Sequence, residues 1–336
     1  MSMQVPCRGS SAAELAIVVA APDDVAALEE TLVSVLEHRP AGAEVVAALG
    51  CDYADPWNIR DEVRFVDAPR GAGLAACIQA GVAAARSRVI HVLAAGWRAT
   101  AGWTEKPLAH FARGDVAAVV PMVVADADRE RIVAAGIRTT RGGRRVVNGR
   151  GMPLDSVAGN RVARPTAPVL EAGFWSADLL ASGGGFPTAC GDACADADMA
   201  AVIACAGGAV VLEPGSLVIG GAERVRPDGF TAGLQAEKLF WRSLAAGPVA
   251  PAVVAHAWEI LRHAVVAAPL GTVPMLAGRL WGLMQFGGHL TRSRELAALR
   301  EQATEAATTT LRIDDAHDGL APPRRQVAPA PLRRSA

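Results

Sequence analysis

Four short runs carry side chains whose types and spacing could do chemistry. Gly71-Ala72-Gly73-Leu74-Ala75-Ala76 fits the G-x-G-x-x-A pattern, which lets a backbone approach a dinucleotide pyrophosphate at a helix N-terminus. The acid such a site needs about twenty residues on, to hold a ribose, is absent, because 90–96 reads Ile-His-Val-Leu-Ala-Ala-Gly. Asp126 and Asp128 spell Asp-x-Asp, but they follow a strand into a hairpin and read as a charged turn rather than a metal site. Cys190 and Cys194 are four apart with no second Cys or His pair to complete a zinc set. Asp196 and Asp198 open a helical stretch, where acids favour the N-terminus without any catalysis.

The elements that would position these residues alternate. Glu14 to Ala20 is a short apolar run that reads as a buried strand, and Asp23-Asp24 can cap a helix from Val25 to His38. Strands follow at Glu44–Leu49 and Val63–Val66, an Ala-rich helix at Gly71–Arg86, and a fourth strand at Val89–Ala94. A helical stretch near 104–113 leads into another apolar run, Val116–Val124. Alternation of this kind implies a largely parallel sheet covered on both faces. Arg131–Val147 then reads as a hairpin about Arg141-Gly142-Gly143-Arg144, and 149–168 as a Gly-, Pro- and Arg-rich loop. A helix returns at Ala195–Ala206, stopped by Gly207-Gly208 before a short strand, Ala209–Glu213. From Thr231 the pattern is helical, with Val254, Trp258, Leu261 and Val265 on one face and Glu259, Arg262 and His263 elsewhere. Beyond about 302, Thr-, Ala-, Pro- and Arg-rich sequence reads as a disordered tail.

The 33 basic and 34 acidic residues give no general pull toward nucleic acid. Scattered cysteines in apolar stretches behave as small core residues, which fits a reducing, cytoplasmic setting. The most hydrophobic late stretch, 249–290, is interrupted by His256, Glu259, Arg262, His263 and Arg279, so no bilayer-crossing segment is expected. Trp258, Trp281, Phe286, Arg279 and Arg292 could form an interfacial face for peripheral membrane contact, while docking onto the sheet accounts for the same residues more simply.

Laid end to end, the pieces resemble the family 2 glycosyltransferases, whose fold is GT-A. The likeness runs from about 14 to 225. ELAIVVAAPDD with LEETLVSVLEH resembles the family's opening strand, loop and helix, and EVVAALGCD its second strand. RGAGLAACIQAGVAAARSRVIHVLAAG resembles the helix leading into the metal-binding strand. In the acceptor half, Gly184, Gly185, Phe186, Asp196, Asp198, Met199 and Gly207 stand in family order. The departures are sharp. The Leu-Asp-x-Asp that holds a metal and sugar nucleotide survives only as Leu93, with Ala94 and Gly96 in place of both acids. The acids after the second strand become Leu49 and Gly50, with Asp52 and Asp55 a few residues on.

The resemblance implies a GT-A domain over 14–225, a helical extension over 226–301 and a tail over 302–336. It implies Asp196 as the general base taking the acceptor hydroxyl's proton, with Asp198, Trp241 and Arg242 on the acceptor side; packing is the alternative role for Phe240 and Trp241. It implies nucleotide contacts by Pro22, Asp23, Asp52, Gly71 and Arg98. Family members usually use magnesium or manganese, but alanine and glycine offer no hard oxygen ligand beyond the backbone, so no metal or other cofactor is expected. Arg98 could stand in as a fixed cation, or be a solvated loop arginine. Two functions stay open. One is sugar transfer from a nucleotide-sugar donor to a glycan or lipid acceptor, as in cell-envelope polysaccharide or glycolipid assembly. The other is a non-catalytic relative that binds a glycan or a partner protein.

Overall fold

The computed structural model describes residues 13–157, 161–220 and 228–318, with side chains described as far as 305. The boundary expected at 225 lies outside these residues. The strands are β1 (Leu15–Ala21), β2 (Glu44–Leu49), β3 (Arg64–Asp67), β4 (Val89–Ala94), β5 (Arg98–Ala99), β6 (Val116–Ala125), β7 (Ile132–Ala134), β8 (Ile137–Thr139), β9 (Arg145–Val147), β10 (Ala172–Ser176) and β11 (Ala209–Gly220). The helices are α1 (Val25–His38), α2 (Leu74–Ala84), α3 (Glu105–Phe111), α4 (Ala177–Ser182), α5 (Asp192–Ala206), α6 (Gly229–Ser243), α7 (Val249–Ala267), α8 (Thr272–Met284) and α9 (Phe286–Asp318).

One sheet carries the molecule, in the order β3-β2-β1-β4-β10-β6-β11-β5, with β7 beside β6. Its first half is parallel: Ile17 pairs with Val45 of β2 and with His91 of β4. β1 can take that central place because every one of its seven residues is apolar and buried, as strands covered on both faces must be. β10 enters antiparallel between β4 and β6, and β6 and β11 are again parallel, so the sheet is mixed beyond β4. α1 starts where the sequence places it: the Asp24 carboxylate accepts from Ala27 N at 2.9 Å.

β10 falls where the residue pattern predicts no strand, and the hairpin expected over 131–147 is only β8 with β9, because β7 pairs with β6 instead. Two elements run well past their sequence-based ends. β11 runs to Gly220 rather than ending at 213, because its second half pairs with both β6 and the short β5. The final helix continues to Asp318, so the part of the expected tail from 302 to 318 is helical; 319–336 lie outside the described residues.

α6 and α8 pack closely. A Cβ on Gly278 would sit 1.9 Å from the Phe230 carbonyl, and one on Gly233 2.0 Å from that of Met275, so only glycine admits this separation. No helix among the described residues is long and apolar enough to cross a membrane.

Candidate active site

β4 ends at Ala94, and the chain turns at once: Trp97 N donates to Ala94 O at 3.0 Å. Gly96 sits in this turn at φ +82°, with its N–H held by Ala27 O (3.0 Å) and Thr31 Oγ1 (2.9 Å) of α1. A left-handed backbone disfavours most side chains that have a Cβ, so the local backbone favours the glycine found at position 96. Ala95, Gly96, Trp97 and Arg98 then form one wall of a cleft of about 770 Å3 at the carboxyl ends of β1 and β4. Ligands bind at that end of open α/β sheets. Pro22 and Asp23 line the same cleft, as do Asp126, Arg131 and Arg150.

Arg98 does not stand free in the cleft. Its guanidinium pairs with Asp126, the first acid of the Asp-x-Asp read from sequence as a charged turn. Asp128 pairs with Arg131 at 3.4 Å and caps its own turn at Glu130 N. The two aspartates therefore neutralise arginines at the cleft rim. Of the other residues assigned to the nucleotide, Asp52 pairs on the surface with Arg70 at 2.9 Å. Gly71 lies in the turn before α2, and neither Asp52 nor Gly71 is among the residues lining the cleft. The α2 N-terminus itself is filled: the Asp192 carboxylate accepts from Leu74 N (2.9 Å) and Ala75 N (2.8 Å). The G-x-G-x-x-A pattern thus serves a protein carboxylate where a pyrophosphate would need to sit.

The acceptor-half acids lie deeper. Asp196 is in the second turn of α5, past the capping position, and fully buried. Arg145 of β9 grips it through Nε at 2.7 Å and Nη2 at 2.5 Å, and Leu170 N donates to it at 3.2 Å. Burial works against the Arg145 charge, but Asp196 outweighs it and holds the guanidinium above its ordinary range. Asp198, equally buried, is bound by Arg242 (2.7 Å) and by Arg292 (2.9 Å). Trp241 stacks edge-on to Phe286 with centroids 4.7 Å apart and donates to Glu237 at 2.8 Å. The predicted acceptor-side residues are thus drawn together, though into the packing between α5, α6 and α9. Arg145 and Arg150 face a second cavity of about 460 Å3, which Arg144, Arg262 and Arg279 also line. Asp196 sits directly behind its Arg145 wall. Arg150 lines both spaces.

Sequence reading missed Asp192, Arg145 and Arg150. The signal was present in the run from Arg138 to Arg150, five arginines with no acid, but nothing in the pattern said which buried carboxylate they would meet.

A divalent ion of the kind used by sugar-nucleotide enzymes needs several hard oxygen ligands. Ala94 and Gly96 supply none, Asp126 is committed to Arg98, and no group of three or more His, Cys, Asp or Glu side chains converges among the described residues. The donor set does not fit the ion. Cys190 and Cys194 are both buried, and burial raises both thiols, Cys190 to about 12.

No protein-family model and no curated protein matches the chain. Solved structures do. GalNAc-T7, crystallised with UDP, GalNAc and Mn2+, is 16% identical with a TM-score of 0.52, and the match covers 68% of this chain and 47% of that one. The chain thus spans about half the length of that protein. The mannosyltransferase PcManGT from Pyrobaculum calidifontis, in complex with GDP-Man and Mn2+, is 16% identical with a TM-score of 0.49 over 88% of each chain. The likeness to GalNAc-T7 shows the fold, which is that of the GT-A glycosyltransferases.

Proposed function

We propose that this chain is a family 2-like glycosyltransferase with a degenerate donor site, taking a nucleotide sugar into the cleft above β1 and β4 and handling its diphosphate without a resident metal. The observation that carries this is the convergence of Arg98, Arg131 and Arg150 from three separate segments on a cleft at the ligand-binding end of a GT-A sheet. Guanidinium groups bind phosphate oxygens in pairs. A diphosphate would draw Arg98 from Asp126, exchanging one anionic partner for another, and would meet developing leaving-group charge with a fixed cation. Asp196 could serve as the base only if Arg145 released it. Separating a buried pair costs roughly 3–5 kcal/mol, so an anionic group on the acceptor, entering the cavity that Arg145 lines, would have to take the guanidinium over.

That same pair favours a second reading. A carboxylate sealed behind an arginine suits a binding module that keeps the fold without the chemistry, and function lives in the site rather than the fold. Isothermal titration with UDP, GDP and their sugar conjugates, with and without manganese, tests donor binding. Sugar-nucleotide turnover in wild type and Asp196→Asn then separates the readings. A transferase using this base loses about two to four orders of magnitude in the variant. Absence of wild-type turnover with every donor that binds would leave the non-catalytic reading standing.

A further inference from the structure

α7 and α8 are amphipathic the wrong way round for a water-soluble surface. Between 249 and 284 the ionisable side chains are His256, Glu259, Arg262, His263 and Arg279, and they work on the inner side. His256 bonds Gly142 O at 3.0 Å and meets Glu237 of α6. Glu259 accepts from Arg144 at 3.1 Å and from Arg262 at 2.6 Å, and Arg279 pairs with the same Glu237 at 3.0 Å. Because both helices turn these groups toward Glu237 or the hairpin, their other faces point away from the domain.

Those outer faces are apolar. On α7 they carry Val254, Trp258, Leu261 and Val265, each more than half exposed. On α8 they carry Val273, Leu280 and Trp281, each at least half exposed. Apart from Val33, Trp57 and Phe230, every exposed large apolar side chain among the described residues falls between 249 and 284. A patch so concentrated marks a contact surface.

The surroundings of the patch select its partner. The β8–β9 hairpin lies against α7, where a Cβ on Gly142 would meet Glu259 Cγ at 2.6 Å. The run 138–150 around that hairpin holds five arginines and no acid; Arg144 and Arg145 pair with Glu259 and Asp196 and Arg150 lines the cleft, while Arg138 and Arg141 are exposed on the hairpin. An uncharged face bearing two tryptophans and flanked by arginines complements the acyl–headgroup boundary of an anionic bilayer. A second copy fits less well, since α7 and α8 hold one acid, the buried Glu259, and so offer no exposed carboxylate to answer a partner's arginines across a two-fold contact. We infer that the α7–α8 face lies in the surface of an anionic phospholipid membrane, held by its apolar side chains and by the arginine hairpin, without crossing the bilayer.

Flotation of the full chain with vesicles tests this directly. Binding is expected to phosphatidylcholine vesicles containing phosphatidylglycerol, to weaken in high salt, and to be weaker on phosphatidylcholine alone. Trp258→Glu with Leu280→Glu, both at exposed positions, should leave the melting temperature within a degree or two and lower anionic-vesicle binding by about tenfold or more. Arg138→Glu and Arg141→Glu should each lower binding to anionic vesicles by at least about fivefold and leave the neutral-vesicle value unchanged. No binding of wild type to anionic vesicles, or undiminished binding by the folded Trp258→Glu/Leu280→Glu variant, would overturn the inference. So would a dimer in sedimentation equilibrium that Trp258→Glu dissociates, because the face would then belong to a second copy.

Discussion

Arg145 reaches from β9 to close both oxygens of Asp196 on α5, 51 residues along the chain. The sequence offered two readings of Asp196, a catalytic base or a helix-capping acid, and its position in the second turn removes the cap. Replacing it with Asn should therefore destabilise the fold by about 3 kcal/mol, since a largely buried guanidinium loses its counter-ion. Urea denaturation of the variant measures this. A change under about 0.5 kcal/mol, the range of an ordinary surface substitution, would show that the pair is not held in solution.

Arg98 and Asp126 give a prediction on binding. Asp126→Asn releases Arg98 and should tighten nucleoside diphosphate binding several-fold, whereas Arg98→Ala should weaken it about tenfold or more, the scale of a lost charge-assisted contact. Manganese should change neither value. Calorimetric titration reads all three, and a manganese-dependent gain abolished by Asp126→Asn would mean that this acid binds metal after all.

Gly96→Ala should cost about 1–2 kcal/mol, because position 96 is left-handed and its N–H is doubly held. By the same reasoning, Gly96→Asp should also lower stability, and because one carboxylate falls short of a divalent ion's ligand set, manganese should not shift its melting temperature. Thermal melting with and without manganese checks both statements.

Asp192→Ala should cost about 1–2 kcal/mol through the loss of the acceptor for Leu74 N and Ala75 N. Asp192→Asn should recover much of that, since its amide oxygen can still accept. Chemical denaturation of the two variants separates a capping role from mere packing.

His91 predicts a pH dependence. It lies wholly buried in β4, stacked on Phe174 at 3.9 Å with Nδ1 3.1 Å from Gly173 O, and burial lowers its pKa to about 3. Between the unfolded value near 6.5 and about 3 the unfolded chain binds the extra proton, so stability is complete above that window and falls as pH drops through it. The slope should approach about 1.4 kcal/mol per pH unit for this one group. Urea melts of wild type and His91→Phe between pH 4.5 and 7.5 compare the slopes; equal slopes would remove His91 as the source.

Much of the scaffold was legible in the residues. α1, β2 and β4 stand at the bounds their patterns gave, because a continuous apolar run between turn signals and a capped amphipathic stretch are local properties. That positions 94 and 96 carry no carboxylate was also legible, since it rests on residue identity at the end of one strand. β5 and the second half of β11 were not, because each is a strand only through the partner that pairs with it.

Charge partners and burial were beyond the sequence. Whether Asp196 faces an acceptor or an arginine depends on a hairpin about fifty residues earlier folding over α5, and a buried carboxylate takes whichever cation the packing delivers. Helix periodicity likewise puts Val254, Trp258, Leu261 and Val265 on one face, and for Trp258 and Trp281 the sequence leaves both docking onto the sheet and membrane contact open. The tertiary structure turned that face outward, because Glu237, Arg144 and Arg279 meet the polar side in one network whose carboxylates, Glu237 and Glu259, are buried. Periodicity says which residues share a face; only the long-range partners say which face is inside.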